Sequence, residues 1–244
     1  MTFAKPFASV RATRYLLVVA GGSGSRMQSE TPKQFLELCG IPLLMHTIRI
    51  FTHYDATMPV TVVLPVTQIP FWEQLCEKHG FTLPHRTVAG GKTRFHSVKN
   101  GLETLSGNGW IAVHDGVRPL VSLNVIDACF REAEQFGNAV PAIPVTDTVR
   151  MVSDNGSRPV ERRRLRLIQT PQVFSLTALK EAYRQDYMPA FTDDASVFEH
   201  KGHAIHLTEG NSENIKITAP CDLKTAEAVI RRSWEKENNF QNYH

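Results

Sequence analysis

A glycine-rich loop followed by two cations is the first stretch of this chain whose residue types are suited to chemistry. The segment LLVVAGGSGSRMQSETPKQF, residues 16–35, runs from apolar residues into glycines and serines and then carries Arg26 and Lys33. Glycine backbone N–H groups can approach anionic oxygens closely, and the two cations add positive charge at fixed offsets. The loop therefore suits a polyphosphate, although a tight strand-to-helix turn with ordinary surface charges would have the same composition.

Two common nucleotide-binding motifs do not fit the sequence. Met27 occupies the third glycine position of the dinucleotide-binding pattern G-x-G-x-x-G, which argues against an NAD site. Residues 91–93 (GKT) resemble the end of a P-loop, but Arg86 stands where the first glycine of that motif belongs.

Two charged residues further along the chain are also candidates for a site. Asp115 ends an apolar run, and ligands of open α/β sheets gather at the carboxyl ends of the strands. Capping of the turn into Gly116 is the structural alternative. Lys216 lies in NIKIT, where strand alternation places it opposite Ile215 and Ile217, facing either a cleft or solvent.

The elements that position these residues follow from hydrophobic patterning. Short strand-like runs alternate with amphipathic helical stretches, which predicts an α/β fold with a mostly parallel sheet covered by helices on both faces. The predicted strands are residues 15–20, 60–64, 85–89, 110–114, 139–143, 204–207 and 214–218. The predicted helical faces are Leu44/Ile48/Phe51, Ile126/Cys129/Phe130/Ala133 and Leu223/Ala226/Ile230.

Composition sets the broad class of the protein. The chain has 244 residues, 42% of them hydrophobic, and a net charge of +3. We therefore expect one domain over residues 1–244, and the net charge alone does not indicate a class of binding partner. The four cysteines are far apart and show no zinc-ligand spacing, and no apolar run reaches the roughly 20 residues of a membrane span. We expect a cytoplasmic protein with reduced thiols and no membrane partner.

One segment interrupts the strand-helix alternation. Residues 148–170 contain Asn155-Gly156 between two strand-like runs, which predicts a β-hairpin arm that projects from the domain. Its arginines, Arg162, Arg163, Arg164 and Arg166, suit a nucleic-acid patch, a solvated strand face or a phosphate site. Because no aromatic residues interleave with them, a nucleic-acid partner is disfavoured. His200, His203 and His206 share no single face, which disfavours a metal site there.

Taken together, these blocks resemble a known enzyme family. The opening loop, AGGSGSRM followed by PKQF, is similar to that of nucleotidyltransferases in general. Five further blocks occur in order over nearly the full chain: AGGKTRFHSV, VHDGVRP, VERRRLRLIQTPQVF, FTDDAS and ENIKIT. With them the sequence resembles the 2-C-methyl-D-erythritol 4-phosphate cytidylyltransferases of the non-mevalonate isoprenoid pathway. The resemblance implies a single Rossmann-like nucleotidyltransferase domain.

The resemblance also implies a reaction and its catalytic residues. A phosphate oxygen of the acceptor would attack the α-phosphorus of CTP and release pyrophosphate. Arg26 and Lys33 match the family's residues for the triphosphate and its developing charge, and Lys216 matches a third catalytic cation. Positioning and charge stabilisation would then supply catalysis, with no obligatory protein nucleophile.

Substrate-binding roles follow from the same resemblance. The nucleotide pocket corresponds to Ala20, Gly21, Gly22 and Gly91, with a hydrogen bond from Ser97. Asp115 would bind acceptor hydroxyls or assist Mg²⁺, or another divalent cation, beside Arg118. Thr148 and Thr192 match acceptor-contacting threonines. Arg162 matches the arginine for the acceptor phosphate, and the family's arm crosses to a second subunit, so Arg162 and Thr170 would complete the partner's site in a homodimer.

Several points stay open at the level of sequence. The role of Arg94 is unassigned, Arg163 and Arg164 blur which arginine is used, and Ser25 replaces a cation that relatives often carry. A ribitol 5-phosphate cytidylyltransferase shares the opening loop and similar HDxVRP and QTPQ motifs, but FTDDAS and the RFHS block favour the isoprenoid enzyme. A non-catalytic nucleotide-binding module on the same fold is the alternative from another functional class.

Overall fold

The computed structural model describes residues 12–22 and 31–241. In this part of the chain, twelve strands form one eight-stranded sheet and two short two-stranded sheets. The strands are β1 Arg14–Val19, β2 Glu37–Leu38, β3 Ile41–Pro42, β4 Val60–Leu64, β5 Arg86–Ala89, β6 Trp110–Asp115, β7 Asn138–Pro144, β8 Val149–Ser153, β9 Gly156–Val160, β10 Arg166–Ile168, β11 Gln172–Ser175 and β12 Leu207–Glu209. The helices are α1 Leu43–Tyr54, α2 Ile69–Lys78, α3 Arg94–Glu103, α4 Leu123–Phe136, α5 Leu176–Ala182, α6 Asp194–His200 and α7 Pro220–Gln241.

The large sheet has the strand order β10-β7-β11-β6-β1-β4-β5, and β12 also pairs with β7. The β1, β4, β5 and β6 strands pair in parallel, whereas β11 is antiparallel to both β6 and β7. In register, Val19 lies opposite both Val63 and Asp115. The carboxyl ends of β1, β4 and β6 therefore meet at one edge of the sheet, where ligands of such sheets bind.

Alternate residues of the central strands pack against helices on opposite faces of the sheet. On β1, Leu16 and Val18 join a buried cluster with α1, α2 and α4, whereas Leu17 joins a second cluster with α3, α5 and α6. Successive side chains of a strand point to opposite faces of the sheet, so this alternation is expected of a strand that is covered on both faces. The structure confirms the predicted fold class and the predicted apolar faces of α1, α4 and α7, the last through buried Ala226 with Leu223 and Ile230 beside it.

Two of the seven predicted strands need correction. The run at 204–207 is displaced, because the strand that forms is β12 at Leu207–Glu209. The prediction of a strand at 214–218 is wrong, since this segment is irregular. Its backbone polar groups are satisfied in other ways: Ile217 N donates to Val117 O at 3.0 Å, and the Asn214 carbonyl accepts from Arg118 at 2.7 Å. The Val117 carbonyl and the Arg118 side chain thus replace the partners that a neighbouring strand would supply.

The hairpin prediction is confirmed, with its turn one residue earlier than expected. Strands β8 and β9 pair from Val149–Val160 to Ser153–Gly156, so Asp154 and Asn155 form the two-residue loop. Gly156 follows with a φ of 126°, a conformation that favours glycine. The hairpin is a sheet of its own with exposed side chains, including Val152 at 79%.

Two further expectations concern the thiols and the membrane. Cys39, Cys76, Cys129 and Cys221 are all free thiols. Among the described residues, the helices are either too short or too polar to traverse a lipid bilayer.

Candidate active site

A cavity of about 230 Å³ opens at the carboxyl edge of the sheet and collects most of the residues predicted for the nucleotide and the catalytic cations. Its walls come from the end of β1, the Lys33 turn, the loop between β5 and α3, the end of β6 and the Lys216 segment. The lining residues are Val19, Ala20, Gly21, Gly22, Lys33, Gln34, Gly91, Lys92, Thr93, Arg94, Ser97, Asp115, Val117 and Lys216. Arg26 lies outside the described residues.

Ser97 holds the glycine loop that forms the nucleotide side of the cavity. Its buried hydroxyl accepts a hydrogen bond from Gly91 N at 3.1 Å and donates one to Thr93 O at 3.0 Å. A β-carbon on Gly91 would lie 2.4 Å from His96 Cβ, so this position requires glycine. The Ser97 oxygen keeps one acceptor lone pair for a ligand. The structure thus brings Ala20, Gly21, Gly22, Gly91 and Ser97 together in the lining of this cavity.

Lys33 points into the cavity because its neighbours anchor the turn that carries it. Gln34 and Phe35 are buried, Gln34 donates to Gln68 at 2.5 Å, and the ring of Phe35 stacks with Trp72 in the core. The lysine side chain then lies across the bare backbone of Gly22, where a β-carbon would fall 2.9 Å from Lys33 Nζ. A β-carbon at position 22 would therefore displace the end of the Lys33 side chain.

Asp115 is the electrostatic centre of the opposite wall. Its Oδ2 atom lies 3.0 Å from Lys216 Nζ and 3.2 Å from Arg118 Nε, and its Oδ1 atom lies 3.9 Å from Arg94 Nε. Burial alone would raise the pKa of Asp115, but Lys216, Arg94 and Arg118 together hold it well below the usual range. The carboxyl is therefore ionised at neutral pH, and it orients three cations at the cavity.

A buried hydrogen-bonded chain fixes the backbone at Asp115. The Asp115 N–H donates to Thr170 Oγ1 at 3.1 Å, and the Thr170 hydroxyl donates to His114 Nδ1 at 3.0 Å. The other ring nitrogen of His114 donates to Arg118 O at 3.0 Å, which defines the neutral tautomer. Burial lowers the pKa of His114 to about 4, outweighing the raising effects of its Arg118 hydrogen bond and Asp115. The ring thus stays neutral at pH 7 and ties the two ends of the Asp115–Arg118 turn.

Arg94, whose role the sequence left open, makes a two-pronged ion pair with Asp194. Its two terminal nitrogens lie 3.0 and 2.5 Å from the two Asp194 oxygens, and Tyr183 donates to the same carboxylate at 2.6 Å. Burial alone would lower the pKa of Arg94, but Asp194 raises it above its usual range. Sequence reasoning missed Asp194 and Tyr183, although FTDDAS was among the family blocks and signalled the former.

The chain is similar to proteins of one enzyme family over most of its length. The family model for 2-C-methyl-D-erythritol 4-phosphate cytidylyltransferase matches residues 15–232. The chain belongs to this family. It is 52% identical over 215 residues to the Bacteroides thetaiotaomicron protein of that name, covering 88% of this chain and 98% of the relative. The Porphyromonas gingivalis (strain ATCC 33277) relative is 48% identical over 223 residues, covering 91% and 99%. The crystal structure of the Thermus thermophilus relative superposes with a TM-score of 0.73 at 32% identity, covering 91% and 99%.

Of the residues that family resemblance assigns to the acceptor, Asp115 lines this cavity, and Arg118 lies outside the lining but contacts Asp115. Thr148 and Thr192 are exposed, and Arg162 is exposed with its guanidinium donating to the carbonyl of Thr146. Thr170 is instead buried, and its hydroxyl accepts a hydrogen bond from the backbone N–H of Asp115 in the same chain.

The donors for a divalent cation are few. Within residues 12–22 and 31–241 there is no group of three or more His, Cys, Asp or Glu side chains able to hold a metal ion. Asp115 Oδ1 is the available carboxylate oxygen in the cavity, because its nearest cationic nitrogen lies beyond hydrogen-bonding distance. One carboxylate together with substrate phosphates is a common way to bind Mg²⁺, so this donor set fits a metal that arrives with a nucleotide.

A larger groove of about 1260 Å³ lies at the other end of the central strands, bordered by Tyr15, Val60 and Arg86. It contains none of the residues predicted for the site. The smaller cavity therefore carries the candidate chemistry.

Proposed function

We infer that this protein transfers the cytidylyl group of CTP to 2-C-methyl-D-erythritol 4-phosphate. An oxygen of the acceptor phosphate forms a bond to the α-phosphorus as the bond from that phosphorus to the bridging oxygen breaks. The products are 4-diphosphocytidyl-2-C-methyl-D-erythritol and pyrophosphate. The observation that carries this inference, beside family membership, is the cluster of cations around Asp115 at the carboxyl edge of the sheet.

The charge of the cavity suits two anionic reactants. Lys33, Lys92, Arg94 and Lys216 in the lining, together with Arg118 beside Asp115, contribute five positive charges, and Asp115 and Asp194 contribute two negative charges, which leaves an excess of three. Two like charges 4 Å apart repel by about 1 kcal/mol in water and about 4 kcal/mol near a protein surface. Fixed cations are therefore needed to bring CTP and a phosphorylated acceptor together.

We propose that the two walls divide the substrates between them. On the glycine side, the backbone around Gly21 and Gly91 takes the cytosine, while Arg26 and Lys33 hold the triphosphate. On the Asp115 side, the carboxylate accepts hydrogen bonds from acceptor hydroxyls. Lys216 and Arg118 keep that carboxylate ionised. Because the Lys216 side chain is partly exposed, its ammonium group can also contact the negative charge that develops on the α-phosphate.

We further propose a homodimer in which the arm of residues 148–170 completes the partner's site. The exposure of Arg162 and Thr148, away from their own cavity, supports a contact with a second copy's acceptor, and exposed Thr192 is assigned to the acceptor as well. An arginine fork matches a phosphate dianion. Thr170 is different, since its hydroxyl is engaged behind its own Asp115, and we assign it the positioning of that residue.

We also propose that Mg²⁺, or another divalent cation, is held by Asp115 together with the phosphates of CTP. When bound, the cation supplies stabilisation of charge on the phosphate oxygens. The protein is proposed to act in the cytoplasm as one domain over residues 1–244, in line with its free thiols.

Pyrophosphate release from CTP and Mg²⁺ tests the function directly. Purified protein is offered 2-C-methyl-D-erythritol 4-phosphate or ribitol 5-phosphate in parallel, and we expect release with the first. Release with ribitol 5-phosphate alone would assign the protein to the rival activity, and no release with either, while CTP still binds, would favour a binding module.

Replacement of Lys33 tests the mechanism. Lys33→Met should lower kcat about 100- to 1000-fold, the loss found when one donor to developing charge is removed. The matched control is Lys78→Met, which removes an exposed lysine paired with Glu37 at 3.5 Å and should keep wild-type kcat. Equal activity of both variants would contradict the assigned role of Lys33.

A further inference from the structure

Arg94 joins the two walls of the cavity through a single side chain. We propose that Arg94, anchored by Asp194, is a positioning residue that orients Asp115 toward the acceptor. The inference rests on the proposed transfer reaction and adds Arg94 and Asp194 to the residues that it requires.

The anchor is rigid because every oxygen of the Asp194 carboxylate is used. Both oxygens accept from the terminal nitrogens of Arg94, and one also accepts from Tyr183. Asp194 is 0% exposed and Tyr183 is 2% exposed, so water does not compete for these bonds. A planar guanidinium in a two-pronged pair has a fixed direction as well as a fixed position.

Arg94 and Asp194 are each the first residue of a helix. Arg94 is the first residue of α3, directly after Thr93, whose hydroxyl caps the helix by accepting from His96 N. Asp194 is the first residue of α6, directly after Asp193, which caps that helix and follows Thr192. The ion pair therefore connects the loop that carries Gly91 with the segment that carries a proposed acceptor contact.

The remaining edge of the guanidinium faces the reaction centre. With both terminal nitrogens on Asp194, Arg94 Nε lies 3.9 Å from Asp115 Oδ1, and the side chain is 26% exposed along the cavity wall. Lys216 and Arg118 contact the other oxygen, Oδ2. Cations on both sides of the carboxylate limit its rotation, and the orientation of Arg94 is set by Asp194, which lies outside the cavity lining.

A purely structural role for Arg94 makes a different prediction. If Arg94 only neutralised buried Asp194, then removing both charges together would restore the fold and the activity, because a buried ion pair can often be replaced by neutral groups without loss of stability. If Arg94 positions Asp115, the same double replacement would restore the fold while the catalytic defect persists.

Steady-state kinetics and CTP binding on the full chain test this difference. The variants are Arg94→Lys, which keeps the charge but loses the fork, and the double variant Arg94→Met/Asp194→Asn. The control is Arg184→Met, which breaks an exposed arginine-carboxylate pair with Glu181 at 2.6 Å. Each protein is measured for kcat and KM with 2-C-methyl-D-erythritol 4-phosphate, for CTP affinity by calorimetry and for chemical unfolding.

We expect both Arg94 variants to lose about 10- to 100-fold in kcat/KM for the acceptor, the scale of a small misplacement of reacting groups, while CTP affinity stays near wild type. Wild-type kinetics in Arg94→Lys, restored turnover in the double variant, or equal losses in CTP affinity and acceptor kcat/KM would overturn the proposal. If the double variant does not fold, Arg94→Lys decides alone. A wild-type protein that binds CTP but does not use the acceptor would refute the proposed function instead.

Discussion

Replacement of Thr170 by valine should destabilise the protein and displace Asp115. Valine has nearly the same shape as threonine, so the change opens no cavity and acts through the hydroxyl alone. That hydroxyl accepts from the Asp115 backbone at 3.1 Å and donates to His114 Nδ1 at 3.0 Å, and all three residues are buried.

The expected magnitude follows from the groups left without partners. Thr170→Val strands one buried N–H and one buried ring nitrogen, and each such group costs about 1–3 kcal/mol. His114 cannot recover by changing tautomer, because its other nitrogen would then lose the Arg118 carbonyl. The free energy of unfolding should therefore fall by about 2–6 kcal/mol.

Urea unfolding at pH 7 measures this loss, and the protein concentration is kept fixed because the stability of the proposed homodimer would depend on it. Thr177→Val is the matched control, because Thr177 is exposed and its hydroxyl bonds only to Asn108 at 3.3 Å. That variant should stay within about 0.5 kcal/mol of wild type. Thr170→Ser, which keeps the hydroxyl, should recover most of the loss.

Turnover gives a second measurement. Because the Asp115 backbone is held by Thr170, kcat/KM for the acceptor should also fall in Thr170→Val and recover in Thr170→Ser. The reasoning is refuted if Thr170→Val unfolds at the same urea concentration as Thr177→Val, since Thr170 would then carry no buried hydrogen bonds of consequence.

Two further perturbations have defined outcomes. Gly22→Ala should lower kcat by about 10- to 100-fold with little change in the unfolding midpoint, because the new β-carbon would lie 2.9 Å from Lys33 Nζ and displace only the end of a flexible side chain; unchanged kcat would show that Lys33 does not act from this position. Acidification should destabilise the protein through His114, whose folded pKa of about 4 lies below the unfolded value of 6.5. The contribution of neutral His114 to the free energy of unfolding is complete above pH 6.5. As the pH falls toward 4, about 3 kcal/mol of it is lost, because the unfolded state binds the proton first. Unfolding free energies from pH 7 to 4 check this, and an equal slope in His114→Gln would contradict it.

The sequence alone determined the framework of the sheet. The runs at β1, β4, β6 and β7 are largely apolar, and such runs form strands that are buried on both faces. The helical faces and the hairpin turn are equally local signals. Asp115 could be placed at the site because it ends a central strand, and strand ends of a parallel sheet share one edge.

Other features depended on which segments meet in space. The prediction of a strand at 214–218 failed because Arg118, from a different loop, occupies the Asn214 carbonyl that a strand neighbour would have used. The antiparallel β11 strand was missed because its four residues, Gln172–Ser175, are too few to show a hydrophobic strand pattern. They form a strand by pairing with β6 on one side and β7 on the other.

The electrostatics of the site belong to the tertiary structure as well. Arg94 and Asp194 are 100 positions apart, and nothing in the local pattern of either segment indicates that they form an ion pair. The pKa of Asp115 is likewise set by Lys216 and by Arg94 at the start of α3, which reach it only through the tertiary fold, as well as by Arg118 three residues along the chain. Local sequence determines which residues are buried and which segments form helices or strands. Interactions between charged side chains are instead determined by tertiary structure, because they are strong only when folding brings the partners within a few ångströms.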